Sequence, residues 1–363
     1  MSDSQTYYEQ QYSFAEAHKP KKDNKFVLHI VLFISTFLSV GVAGVQWAGK
    51  DFTNLLNWHY GLTYAVLITV FLSAHEFGHY FASRIHKVDA TLPYYIPMPI
   101  VYLNPFGTFG AVIKTRSPIT SRKAMFDIGV AGPISGFIVC FAFLVYGLMT
   151  LPGIDFIYKI HPYYLTKFGG KIPHTDLFFG DTILYYIMAK IFANPHGFLP
   201  PMNEIYHYPF LNVGWFGMFV TSLNMLPIGQ LDGGHVIYSM FGGKIQRKVA
   251  KTTWWLMIVI GIGSLLELLY ETLKISQPGG FYNFLQNSLM PVLTWLKNYV
   301  PWFMSGWGGW LFWALVTRIF IKLGHPEIGE EDEVLDSKRR MIGWAAIIIF
   351  IVTFSYNGIY FIQ

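Results

Sequence analysis

The chain has 363 residues, of which 53% are hydrophobic, 18% aromatic and only 13% charged. A soluble domain carries about a quarter charged residues, so the composition excludes an ordinary globular protein and points to a polytopic membrane protein. The net charge of +5 does not argue for nucleic acid as a partner, because Lys and Arg gather at the ends of apolar runs, where they set topology.

The first 26 residues are polar and carry Asp3, Glu9, Glu16 and Asp23, more acid than a transit peptide tolerates. They are expected to form a polar cytosolic tail, and the apolar run behind Lys19, Lys21, Lys22 and Lys25 is expected to be an uncleaved anchor. Membrane spans are expected at about 27–46, 61–83, 126–150, 209–229, 252–274, 306–323 and 342–362, each close to the length of a bilayer core. The fold expected is all-α and polytopic, with about six to seven transmembrane helices. Cys140 lies in an apolar run and reads as a small buried hydrophobe.

Basic residues cluster before the first span, between the second and third (Arg84, Lys87, Lys114, Arg116, Arg122, Lys123), between the fourth and fifth (Lys244, Arg247, Lys248, Lys251) and before the seventh (Lys338, Arg339, Arg340). This alternation puts the N-terminus and those loops on the cytosolic side. Between spans two and three, "IPMPIVYLNPFGTFGAVIKTRSP" (96–118) has apolar alternation around Gly107 and Gly110, and Pro97, Pro99 and Pro105 preclude a helix. It is expected to be a hairpin, re-entrant against the helices because irregular chain at membrane depth must be covered by protein. Residues 151–208, rich in Pro, Tyr and His, are expected to form an extracytoplasmic cap with one short helix near 180–193. His161, His174, His196 and His207 there lack ligand spacing and are expected to be surface histidines. Glu267 and Glu271, near the outer end of span five, fit an interfacial position.

Span two contains "SAHEFGHYFAS" (73–83). Ionisable groups inside a membrane cost roughly 2.5–3.5 kcal/mol each on insertion scales, so something must hold them there. His75 and His79 are four apart and share one helix face, so both imidazoles reach a single tetrahedral zinc, with Glu76 beside them to take a proton from the water that the metal activates. The third ligand is not at metzincin spacing: position 82 is Ala, position 85 is Ile, and His86 misses by one. No glutamate follows Glu76 until Glu204. The strongest remaining acid is Asp232 in "SLNMLPIGQLDGGHVIY" (222–238), expected to close span four at the depth of the histidines. The glycines after it let the backbone turn, and Asn224 and Pro227 break the helix and free polar groups for an extended peptide. His235 is open to either a role behind the metal ligands or a solvated one.

H-E-x-x-H in one transmembrane helix and N-x-x-P-x-x-x-L-D-G in a later one resemble the site-2 protease family of intramembrane zinc metalloproteases. The resemblance implies a three-helix core with one zinc held by His75, His79 and Asp232, Glu76 as general base, and Asn224 near the substrate. "FDIGVAGPISGF" (126–137) resembles the family's G-P segment, where Gly132 and Gly136 also have the spacing of close helix packing. "FGTFGA", with Gly107 and Gly110, resembles the family's substrate-guiding β element, and the terminal "GHPE…LDSKRRMIGWAAIIIFIVTF" is similar to bacterial members. The 151–208 connection is too short for a PDZ domain, so the chain resembles the PDZ-less branch of bacteria and chloroplasts.

The implied function is regulated cleavage of transmembrane segments of membrane proteins. The chain is expected in the bacterial inner membrane, in contact with lipid and transmembrane substrates, its active site toward the cytosol. The expected organisation is a tail (1–26) and one protease domain (27–363), with a core at about 61–240 and accessory helices at 245–363. The alternatives are a zinc protease that trims soluble or lipidated protein ends, which would use a downstream glutamate, and a non-proteolytic zinc-binding membrane protein or transporter. Glu76 speaks against the latter, since a purely structural site needs no base.

Overall fold

Apolar runs of bilayer length become the long helices of a computed structural model that describes residues 25–100, 104–275, 279–326, 328 and 334–362. Residues 1–24 of the expected tail lie outside the described residues. Helix α1 is Phe26–Trp47 and α2 is Trp58–Ile85, preceded by a 3-10 turn whose N-cap, Asn54, accepts from Leu56 N. Strands β1 (Tyr94–Pro97) and β2 (Thr108–Val112) follow, then α3 (Arg122–Met149), started by the Ser121 side chain on Ala124 N. The cap holds α4 (Asp155–Ile160), α5 (Tyr163–Phe168), β3 (Asp176–Phe179), α6 (Ile183–Phe192) and a 3-10 turn at Ile205–His207. After it come α7 (Pro209–Asn224), α8 (Asp232–Phe241), α9 (Gly243–Ile275), α10 (Gly280–Tyr299), α11 (Pro301–Met304), α12 (Gly309–Val316, continued by a π-turn to Ile321), α13 (Ser337–Thr353) and β4 (Ile359–Ile362).

Four of the described helices are long and apolar enough to cross a membrane: Phe26–Trp47, Leu55–Ile85, Arg122–Met149 and Gly243–Ile275. The chain is therefore a mostly helical integral membrane protein. Three expected spans take another form. Run 209–229 is not one helix: α7 stops at Asn224, and Pro227 has no N–H to continue it. Run 306–323 yields the shorter apolar helix Gly309–Ile321. In run 342–362 the helix ends at Thr353, and β4 pairs antiparallel with β3 of the cap, Phe179 opposite Ile359. Helix α10 had no counterpart among the expected spans because Asn283, Gln286, Asn287 and Lys297 interrupt its apolar face. It rests on α9 and α11 through Leu293, Leu273 and Met304, and Lys297 pairs with Glu267 of α9.

Helix α3 is central, packing against α2, α7 and α8. Small residues permit the approach: a Cβ on Gly78 would stand 2.6 Å from the Ala131 carbonyl oxygen, and one on Gly44 2.7 Å from that of Gly61. Tyr64, Phe71, Leu144 and Trp215 fill the space between these helices and are buried. Strands β1 and β2 form the expected hairpin, Tyr95 opposite Ala111, with a register shift between Tyr95 and Pro97. The bulge turns on Gly110, at φ +94°, whose N–H donates to Thr108 Oγ1 at 2.9 Å. Gly107, at φ +77°, lies against α1, where Ser39 Oγ donates to its carbonyl at 2.6 Å.

Candidate metal centre and active site

One turn of α2 separates His75 from His79, and their Nε2 atoms lie 3.2 Å apart. Asp232 comes from the other side of the core. It opens α8 rather than closing the preceding span, because the chain turns through 225–231 before helix resumes. Its Oδ2 is 3.4 Å from the Nε2 of each histidine. Ligands about 2.0–2.1 Å from a tetrahedral zinc stand about 3.3 Å from one another, so the three donor atoms already mark three corners of such a site. Two neutral imidazoles and a carboxylate fit a borderline divalent ion of the zinc kind.

The surroundings fix these side chains. His79 Nδ1 lies 2.7 Å from the Ile128 carbonyl oxygen of α3, to which it donates, leaving the Nε2 lone pair to the cluster. The imidazole occupies room that α3 leaves at Gly132, where a Cβ would overlap it. At Gly136 a Cβ would press on His75 Nδ1 at 3.2 Å. The G-P segment is thus the wall against which both histidines sit. Asn224, at the end of α7, brings its Nδ2 to 3.2 Å from His75 Nε2. Glu76 is buried and lines the cleft together with Ile113, just past β2.

These groups open on one cleft of about 620 Å³, lined by His75, Glu76, His79, Asn224 and Asp232 and, on the hairpin side, by Ala111, Val112 and Ile113. Gly107 and Gly110 do not line it; they shape the hairpin that does, Gly110 facing open space and Gly107 facing α1. His235 also lines the cleft, its Nδ1 2.8 Å from Nε2 of His325. Sequence reasoning did not single out His325. It stands in "GHPE", ninety positions after His235, and only the return of the chain past α12 brings it here.

The cap histidines correct another expectation. His174 and His196 are exposed, but His207 is buried and His161 half-buried. Their Nε2 atoms lie 2.8 Å apart beside the buried Glu204. At 46 positions apart, the pair could not be revealed by local spacing.

A helical membrane protein with His-Glu-x-x-His on a long apolar helix and a facing aspartate belongs to the class of membrane metallopeptidases. The model of peptidase family M50, the site-2 protease family, matches residues 63–268, more than half of the chain, and the chain belongs to that family. It is similar to the rice (Oryza sativa subsp. japonica) protein named probable zinc metalloprotease EGY1, chloroplastic, 29% identical over 194 residues, 53% of this chain and 30% of the relative. The Arabidopsis thaliana protein of the same name is 29% identical over 210 residues, 57% of this chain and 34% of the relative. Probable zinc metalloprotease EGY2, chloroplastic, of Oryza sativa subsp. indica is 24% identical over 201 residues, 55% and 33% of the two chains. The chain thus matches about a third of the length of these relatives. No solved structure matches. The expected bacterial inner membrane finds no support here, since the names of these relatives place them in chloroplasts.

Proposed function

We propose that the chain is a zinc-dependent endopeptidase that cuts peptide bonds in or beside the transmembrane segments of membrane-protein substrates. The observation that carries this reading is the triangle of His75, His79 and Asp232 donor atoms, with Glu76 and Asn224 opening on the same cleft. His75, His79 and Asp232 would hold the zinc. When bound, the ion supplies Lewis acidity, polarising the scissile carbonyl and acidifying a water.

Glu76 is the general base: it takes a proton from the attacking water and returns it to the leaving amine. Asn224 offers an amide N–H to the carbonyl oxygen as charge develops there. An unwound substrate segment lies along the hairpin, paired to the backbone near Ala111–Ile113 in the manner of an added strand, with Gly107 and Gly110 setting the shape of that edge. Buried helices around the cleft keep bulk water out. Residues 27–363 act as one membrane protease domain, its core at about 61–240, with 151–208 as an extracytoplasmic cap and 245–363 as accessory helices. The active site faces the side of the Lys- and Arg-rich loops.

The test is purified chain in detergent with zinc, a panel of model transmembrane peptides and mass spectrometry of the products. Cleavage that disappears in Glu76→Gln is the expected result. A zinc-loaded chain that cuts no peptide of the panel would sink the protease reading in favour of a transporter or scaffold.

A further inference from the structure

We propose that His161, Glu204 and His207 form a second zinc site, at the opposite end of the helix bundle from His75. The assignment stands apart from the reading of the His75 cluster. His161 closes α4, while Glu204 precedes and His207 ends the 3-10 turn that leads into α7. Their ligand atoms converge. The His161 and His207 Nε2 atoms are 2.8 Å apart, and Glu204 Oε2 lies 3.5 Å from the first and 3.7 Å from the second. These separations bracket the edge of about 3.3 Å expected around a tetrahedral zinc.

The supporting contacts aim the lone pairs inward. His207 Nδ1 lies 2.7 Å from the carbonyl oxygen of Trp47, an acceptor only, so Nδ1 carries the proton and Nε2 presents a lone pair to the cluster. Tyr164 OH donates to Glu204 Oε1 at 2.6 Å, which leaves Oε2 turned toward the two imidazoles. The same device appears at the His75 cluster, where the Ile128 carbonyl orients His79. Outer hydrogen bonds of this kind are what metal-ligating imidazoles and carboxylates need, whereas a surface histidine has no use for them. Glu204 is wholly buried and His207 is 5% exposed. A divalent ion among these three side chains would offset the charge of the buried carboxylate.

The fold assigns the site a structural role. Trp47 is the last residue of α1, and its ring packs on Tyr206, 5.4 Å between centroids. Helices α1 and α2 run antiparallel, so His75, 17 residues beyond the start of α2, is about 25 Å along the axis from the Trp47 end. A zinc bound by the cap residues would tie α4 and the 3-10 turn to the outer end of α1, far from the cleft. The His161 side chain, 18% exposed, gives the ion a way in and leaves the fourth position to water.

The experiment counts zinc per chain by mass spectrometry, on full chains purified in detergent and equilibrated with buffered zinc. The unaltered chain should hold two. His75→Ala, His161→Ala and Glu204→Gln should each hold one, and His75→Ala combined with His161→Ala none. X-ray absorption at the zinc edge of the His75→Ala chain should show nitrogen and oxygen ligands with imidazole scattering. Glu204→Gln keeps the shape of the buried side chain, so it reports on the site even if His161→Ala folds poorly. A count of one that vanishes in His75→Ala and persists in His161→Ala and Glu204→Gln overturns the proposal and leaves a metal-free hydrogen-bonded triad, with the active-site reading intact. A count of one that persists in His75→Ala and vanishes in His161→Ala supports the cap site and removes the active-site reading instead.

Discussion

Asn224 Nδ2 stands 3.2 Å from His75 Nε2, across 149 positions of sequence. The contact puts a neutral amide beside the metal cluster without making it a ligand. That position suits a group that stabilises charge on the substrate carbonyl, an effect typically worth about 10²–10³ in kcat for one donor. Asn224→Ala should therefore keep the zinc at the His75 cluster, and lower kcat on a model transmembrane peptide by about that factor with a smaller change in KM. A fall in zinc content would show instead that Asn224 holds the ligand in place.

Glu76 is adjacent to His75 and lines the cleft with Ile113 of the hairpin segment. It should behave as a base and not as a ligand. Glu76→Gln should retain zinc and the folded bundle and lose cleavage by about 10²–10⁴, toward the upper end because the same carboxylate serves both proton transfers. His75→Ala and Asp232→Ala should lower bound zinc, each removing a donor atom. Metal analysis beside peptide cleavage separates the two patterns, and undiminished cleavage by Glu76→Gln would end the mechanism.

Local spacing made part of this site legible. His75 and His79 share a helix face by arithmetic, and Asp232 stood out because few acids follow Glu76 in the apolar part of the chain. The long helices of bilayer length were readable for the same reason: length and apolarity are local properties. What escaped depended on chain return. Run 209–229 remains apolar across the break at Pro227, so hydropathy alone could not divide α7 from α8 or show Asp232 starting a helix. His235 meets His325, and His161 meets His207, only after separate segments come together. The end of the chain looked like a span because Ile359–Ile362 is apolar, yet apolar alternation serves equally well for the strand that pairs with β3.

Gly132 supplies a test of how tightly α3 holds the His79 imidazole. A methyl group there would overlap the His79 imidazole, which cannot swing aside without losing its hydrogen bond to Ile128. Gly132→Ala should cost about 1–3 kcal/mol of stability, as overpacking of a dense core does. It should also lower zinc at the His75 cluster severalfold. Gly136→Ala, whose Cβ would stand 3.2 Å from His75 Nδ1, should have the same sign and a smaller size. Thermal midpoints and zinc counts of both variants check this, and a Gly132→Ala chain with full zinc would show that α3 yields more readily than its packing suggests.

Arg339 near the start of α13 joins the ends of three helices. Its Nε lies 2.9 Å from Asp127 Oδ1 and its NH2 2.6 Å from Asp127 Oδ2, a two-bond fork onto α3. His86, just past α2, meets the same Asp127 Oδ2 at 2.7 Å, and Asp336 flanks the guanidinium from its own helix. About a quarter of each side chain in the Arg339–Asp127 pair is exposed, so solvent screens the attraction and the pair should contribute about 1 kcal/mol. Arg339→Ala should lower the thermal midpoint by a small amount and leave zinc content unchanged, because no metal donor touches the network. Arg339→Lys should recover only part of the loss, since an ammonium group cannot reproduce the planar fork on Asp127. If Lys restores the midpoint completely, charge alone holds α13 to α3, and the fork geometry contributes nothing to docking the last helix.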